Sequence, residues 1–217
     1  MLKRQINLKS FHGRSWTVNI QPGPAWAAII SLIILIIFGL LVKATAIVLL
    51  VYYLGSFAVG IFLYQRYPVL YNGFTWWLWF VGPFVKRLID YQSGSTMPGA
   101  WHLTPALVTS ISLATLVRHF PRSYKQEGGL PFVLGVSAVF YGFAIELIQN
   151  QLSLKSVTIL LSWLPPILFG FHLFINWQIY PSYRRNFQRV FLWGVLVMGT
   201  YGIWQFFMQP PWDLFLA

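Results

Sequence analysis

The chain has 217 residues, 57% of them hydrophobic and 9% charged, with a formal net charge of +11. Soluble domains carry roughly 25% charged residues, so this chain cannot cover a water-facing surface and lipid must be the solvent for most of it. It has no cysteine, which excludes disulfides, thiolate metal sites and cysteine nucleophiles. A soluble protein this basic would point to nucleic acid. Here the bases sit in short loops between apolar runs, so nucleic acid is not an expected partner.

Residues 1–24 form a basic tail (Lys3, Arg4, Lys9, Arg14) that ends in Pro22-Gly23-Pro24. From Ala25 to Tyr64 the chain is apolar except for Lys43. A single helix of that length would be about 60 Å long, twice the hydrocarbon thickness of a bilayer, so the stretch must fold back. The spans predicted there are 25–42 and 44–64. The first is retained rather than cleaved, because the apolar run is too long for a signal peptide.

The polar break Gln65-Arg66-Tyr67-Pro68 leads to span three, 69–85. Lys86, Arg87 and Asp90 follow it, then a loop rich in Gly, Ser and Pro. Span four, 101–117, is the most polar. Its hydroxyls (Thr104, Thr109, Ser110, Ser112, Thr115) are expected to bond back to helix carbonyls or across to a neighbour. A basic loop precedes span five, 130–149, and a polar turn precedes span six, 157–176, which contains Pro165-Pro166. A second basic loop (Arg184, Arg185, Arg189) precedes span seven, 190–208. The fold expected is an all-α polytopic bundle of about seven transmembrane helices, with residues 25–217 as one domain.

Charge sets the orientation. With the N-terminus cytoplasmic, eleven of the fifteen Lys and Arg fall inside, as the positive-inside rule requires. Removing the polar fourth span would leave six inside and nine outside, which breaks the rule. Seven spans place the C-terminus outside, and with it three of the four acids (Asp90, Glu146 and Asp213) at or near the outer face.

Lys86, Arg87 and Asp90 are candidates for a diphosphate or glycan at the outer face, since Arg offers forked donors and Lys a point charge. Interfacial anchoring by snorkelling side chains is the plainer role. His102, beside Trp101, could act as a base or donor, or be only an interface histidine. Glu146 is the sole acid inside an apolar run, and burial in lipid is costly enough to make it a functional candidate; pairing with Lys155 is the plainer role. His172, near the inner end of span six, is expected to pack or to meet water. Four scattered histidines give no metal-ligand spacing, and no nucleotide-binding loop is present, so no metal or cofactor is expected. Ala138 and Gly142 would let another helix approach closely.

The runs LSWLPPILFGFHLFINW and RRNFQRVFLWGVLVMGTYGIWQFF, with the closing QPPWD, resemble the N-terminal half of bacterial membrane proteins of the O-antigen ligase/polymerase superfamily, cyanobacterial members especially. LIDYQSG through LTPALVTSISLATL fits the same pattern, and the resemblance covers residues 60–213. It implies a plasma-membrane protein that ligates or polymerises surface polysaccharide, taking glycans carried on undecaprenyl diphosphate at the outer face, without metal. The part of the family that holds the catalytic segment has no counterpart here, so no catalytic residue is assigned. The expectation is a truncated or split form, inactive alone, with membrane lipid, a lipid-linked glycan and a second membrane chain as partners. A transporter or channel subunit, suggested by Pro165-Pro166, Glu146 and the hydroxyl-rich fourth span, and a non-catalytic scaffold are the alternatives.

Overall fold

A computed structural model describes residues 23–94, 103–123, 129–150, 154–176 and 180–214, and every regular element among them is helical. Helix α1 (Gly23–Leu41) ends where Lys43 takes a left-handed φ of 58°. The amides of Val42, Lys43 and Ala44 bond back to α1 carbonyls there, which closes the last turn. The chain returns through α2 (Thr45–Leu50), a π turn (Val51–Gly55) and α3 (Ser56–Arg66), one continuous rod. The hairpin expected from the apolar run is present.

Lipid tails are as apolar as the side chains, so close van der Waals packing has to hold such helices together. Gly39 and Gly55 permit it in this hairpin: a Cβ on either would come within 2.6 Å of Val48 and 2.7 Å of Leu32 respectively.

Tyr67 breaks the helix, and Pro68 opens α4 (Pro68–Ser93), a position where the missing N–H costs nothing. α4 is the centre of the molecule. Tyr71, Phe74, Leu78, Val85 and Ile89 join Leu32, Val48, Tyr52 and Leu63 of the hairpin, with Val108 and Phe169, in the main core. α5 (Leu103–Ser110) runs back along α4, with Pro105 near Gly82 and the Trp79 indole donating to Thr109, and Thr115 of α6 (Leu113–Ser123) reaches Tyr64 of α3. α7 (Leu130–Asn150) and α8 (Leu154–Ile175) form a second hairpin, with Gly135 on Ile167 and Phe132 on Phe171, and α6 packs against α8. α9 (Tyr180–Met208) lies parallel to α4, Gly73 facing Asn186, Gly194 facing Phe80 and Phe84 facing Tyr201. The short α10 (Pro211–Leu214) folds back on α4.

Five segments are long and apolar enough to cross a membrane, as those of a multi-pass membrane protein are: Gly23–Leu41, Thr45–Arg66, Leu130–Gln149, Ser156–Ile175 and Tyr183–Met208. Their outward faces carry large apolar groups such as Phe38, Leu54, Ile148 and Phe206, a surface that suits lipid.

The structure redraws three expected boundaries. Span three was expected to stop at Val85, but α4 continues until Gly94 takes a left-handed turn, so Lys86, Arg87 and Asp90 lie on the helix. The fourth segment is two helices. Ile111 and Ser112 make tight three-residue backbone bonds, and the hydroxyls of Thr109, Ser110 and Ser112 donate to nearby carbonyls, competing with a regular ladder. The loop expected at 177–189 is helical from Tyr180, with Pro181 in the first turn, where proline is tolerated. The basic tail lies outside the described residues except for Gly23 and Pro24.

Candidate functional site

Lys86, Arg87 and Asp90 occupy successive faces of the last turns of α4. Lys86 and Asp90, one turn apart, form an ion pair in which Asp90 is buried. Arg87 turns the other way and donates from Nη1 to Asp213 Oδ1 at 2.7 Å. The second Asp213 oxygen accepts from the Tyr201 hydroxyl at 2.9 Å, and that hydroxyl accepts from Trp212 Nε1 at 3.0 Å. One carboxylate thus ties three helices together: α4 through Arg87, α9 through Tyr201, and its own α10.

The sequence builds this locally. After Met208, Gln209 takes a positive φ of 42°, and Pro210-Pro211 prevents the helix from continuing. Asp213 N donates to Pro210 O at 2.9 Å, so the chain reverses within four residues. Trp212 then stacks on Trp204 (6.0 Å, 27°) and meets Tyr91 edge-on (6.4 Å). Gln92 Nε2 donates to Leu40 O, which moors the same end of α4 to α1.

Two bases and two acids make the cluster neutral overall, and each base has an acid beside it. Around them stand the rings of Tyr91, Tyr201, Trp204 and Trp212, and Tyr91 is 43% exposed. Paired carboxylate and guanidinium groups can exchange hydrogen bonds with hydroxyls, and ring faces can pack against the apolar C–H faces of a sugar.

The other residues expected at the site do not join it in the described structure. Glu146 sits on α7, half-buried, and accepts a long hydrogen bond of 3.5 Å from Ser156. His102 and the side chain of Lys155 lie outside the described residues. Ala138 is exposed and Gly142 has nothing within 4 Å, so this pair faces away from the bundle. Among the described residues no three His, Cys, Asp or Glu gather to hold a metal ion.

Reading the sequence missed Tyr201 and Trp212 as members of the cluster, and it left Asp213 without a partner. Pro210-Pro211 was the available signal, since a double proline ahead of an acid marks a reversal that can return the acid to the bundle. No known family model, curated protein or solved structure matches this chain.

Proposed function

We propose that this chain is a seven-span protein of the bacterial plasma membrane, N-terminus inside, that engages a lipid-linked surface glycan at the outer face. The observation that carries the proposal is the cluster of Arg87, Asp213, Tyr201 and Trp212 at one end of the bundle. It combines ionic hydrogen-bonding groups with ring faces, the chemistry a sugar needs. Trp212 and Asp213 lie in QPPWD, Tyr201 in the run RRNFQRVFLWGVLVMGTYGIWQFF and Arg87 immediately before LIDYQSG, the segments through which the chain resembles O-antigen ligases and polymerases. The positive-inside bias supports the orientation, and the packing of α5 along α4 followed by α6 against α8 supports counting 103–123 as a crossing. Because both bases are paired, the glycan rather than a bare diphosphate is the moiety that fits this cluster. The reaction class that the resemblance supplies is transfer of the glycan from undecaprenyl diphosphate.

Binding decides it. The purified chain in nanodiscs should hold an undecaprenyl-diphosphate-linked oligosaccharide more tightly than undecaprenyl diphosphate alone. Arg87→Ala should weaken that preference by about tenfold, the equivalent of one ionic hydrogen bond. Equal affinity for the two lipids, or an unchanged preference in Arg87→Ala, would remove the basis for the proposal.

A further inference from the structure

Toward the opposite end of α4, 15 residues or about 22 Å from Arg87, lies Asn72. It is fully buried, and neither its Nδ2 nor its Oδ1 has a hydrogen-bond partner among the described residues. Trp76, one turn along the same face, touches Phe169 of α8 at 6.1 Å and Phe191 of α9 at 4.8 Å, so this face of α4 looks toward the junction with both helices. Its Nε1–H is also buried and unpartnered.

Two further groups come from the flanking helices. Tyr183 of α9 is 2% exposed; its hydroxyl lies beside Asn72 and within electrostatic reach of Tyr64 without a well-formed hydrogen bond. His172 of α8 is 3% exposed. Its Nδ1 shares a 2.7 Å hydrogen bond with Thr115, which shares one of 2.8 Å with Tyr64. The rings of Tyr64 and Tyr71, at 5.5 and 5.7 Å, hold the imidazole in place. Nε2 is left buried and unpartnered.

Five polar atoms on four side chains of three helices therefore lack a well-formed hydrogen bond in one region, the Tyr183 hydroxyl and Asn72 facing each other across it. Each unmet group costs about 1–3 kcal/mol, and lipid offers no hydrogen bonds to relieve the cost. Native cores leave few such groups, so a concentration of them marks a place built for a hydrogen-bonding guest.

We infer that the α4/α8/α9 junction binds a small uncharged solute that both donates and accepts hydrogen bonds, of the polyol or carboxamide class. Asn72 supplies a donor and an acceptor, Trp76 a donor, and Tyr183 and His172 groups that can adapt to either. No charged side chain is buried with them: Arg66, Arg184 and Arg185 are exposed. An ion held there would be stripped of water with no counter-charge, which excludes it. Trp76, Phe169 and Phe191 close the junction toward the middle of the bundle. Asn72, Tyr183 and His172 lie about one turn from the helix ends, where a solute can enter.

The test uses the full chain in nanodiscs, labelled with 15N at Trp and His, titrated with acetamide and with glycerol. The Trp76 indole signal (identified by its loss in Trp76→Phe) and the His172 imidazole signal should shift saturably with at least one of them. Tyr183→Phe, which keeps the ring and removes only the hydroxyl, should raise the half-saturation about tenfold. Asn72→Leu should abolish the shifts. If Asn72→Leu does not fold, Tyr183→Phe decides alone. Shifts that rise linearly with concentration, or that Tyr183→Phe leaves unchanged, overturn the site and leave these groups to water. Acetate binding as tightly as acetamide overturns the assignment to an uncharged ligand.

Discussion

Asp213 accepts from Arg87 and Tyr201 at once, so the three side chains form a unit whose parts are not additive. Tyr201→Phe should lower stability by about 1 kcal/mol, the worth of one hydrogen bond, as read by reversible unfolding in detergent. Asp213→Ala should cost more, about 2–3 kcal/mol, because the guanidinium and the phenol both lose their acceptor. A double-mutant cycle between Arg87→Ala and Tyr201→Phe should show coupling through that acid, and strict additivity would deny the unit. Lys43 gives the opposite sign. Its φ of 58° suits glycine, so Lys43→Gly should leave stability unchanged or raise it by up to about 1 kcal/mol, whereas Lys43→Val should lower it. The lysine was legible in the sequence as a turn because it alone interrupts the apolar run. The acid's partners were not legible, because they are 126 and 12 residues away in the chain and no local pattern links them.

α9 tests the packing of whole helices on a single element. Gly194 presses on Phe80, where a Cβ would come within 2.6 Å of the ring, while Gly199 has nothing within 4 Å. Gly194→Ala should therefore cost about 1–3 kcal/mol through overpacking. Gly199→Ala should be neutral or gain up to about 1 kcal/mol from helix propensity. Reversed signs in the same unfolding assay would mean that α9 does not seat on α4 as described. The sequence distinguished helices from loops well wherever apolar runs were long, as for α1, α7 and α8. It misjudged α4 and α9 at their charged ends, because charge was taken to end a helix when it marks only the end of the apolar part. Lys86, Arg87, Arg184, Arg185 and Arg189 are good helix formers and stay helical. Asn72 and Tyr183 carried no signal beyond being polar in or near an apolar run, since what sets them apart is lack of a partner, a property of three helices together.

The molecule as a whole is organised around α4, which is helical for 26 residues and has neighbours on most sides. Because other helices surround it, α4 can keep Asn72, Lys86, Arg87 and Asp90, and it falls outside the segments apolar enough to cross a membrane unaided. The proposal that it crosses the membrane rests on charge bias and contacts, and accessibility in intact cells tests it. The chain has no cysteine, so single cysteines at Ser93, Ser123, Ser153 and Ser182 give a clean background. An impermeant thiol reagent applied from outside should label the first and third only. Labelling at Ser123 or Ser182 would overturn the proposed seven-span arrangement. The divided segment of α5 and α6 also bears on biogenesis. Its buried hydroxyl face, Thr104, Thr109, Ser112 and Thr115, is sheltered by α3 and α4 on one side and by α8 on the other. α8 is synthesised after it. During translation the segment must therefore wait, half-covered, until some fifty more residues have emerged, and a nascent chain arrested before Leu154 would present that polar face to lipid and to the proteases that survey the bilayer.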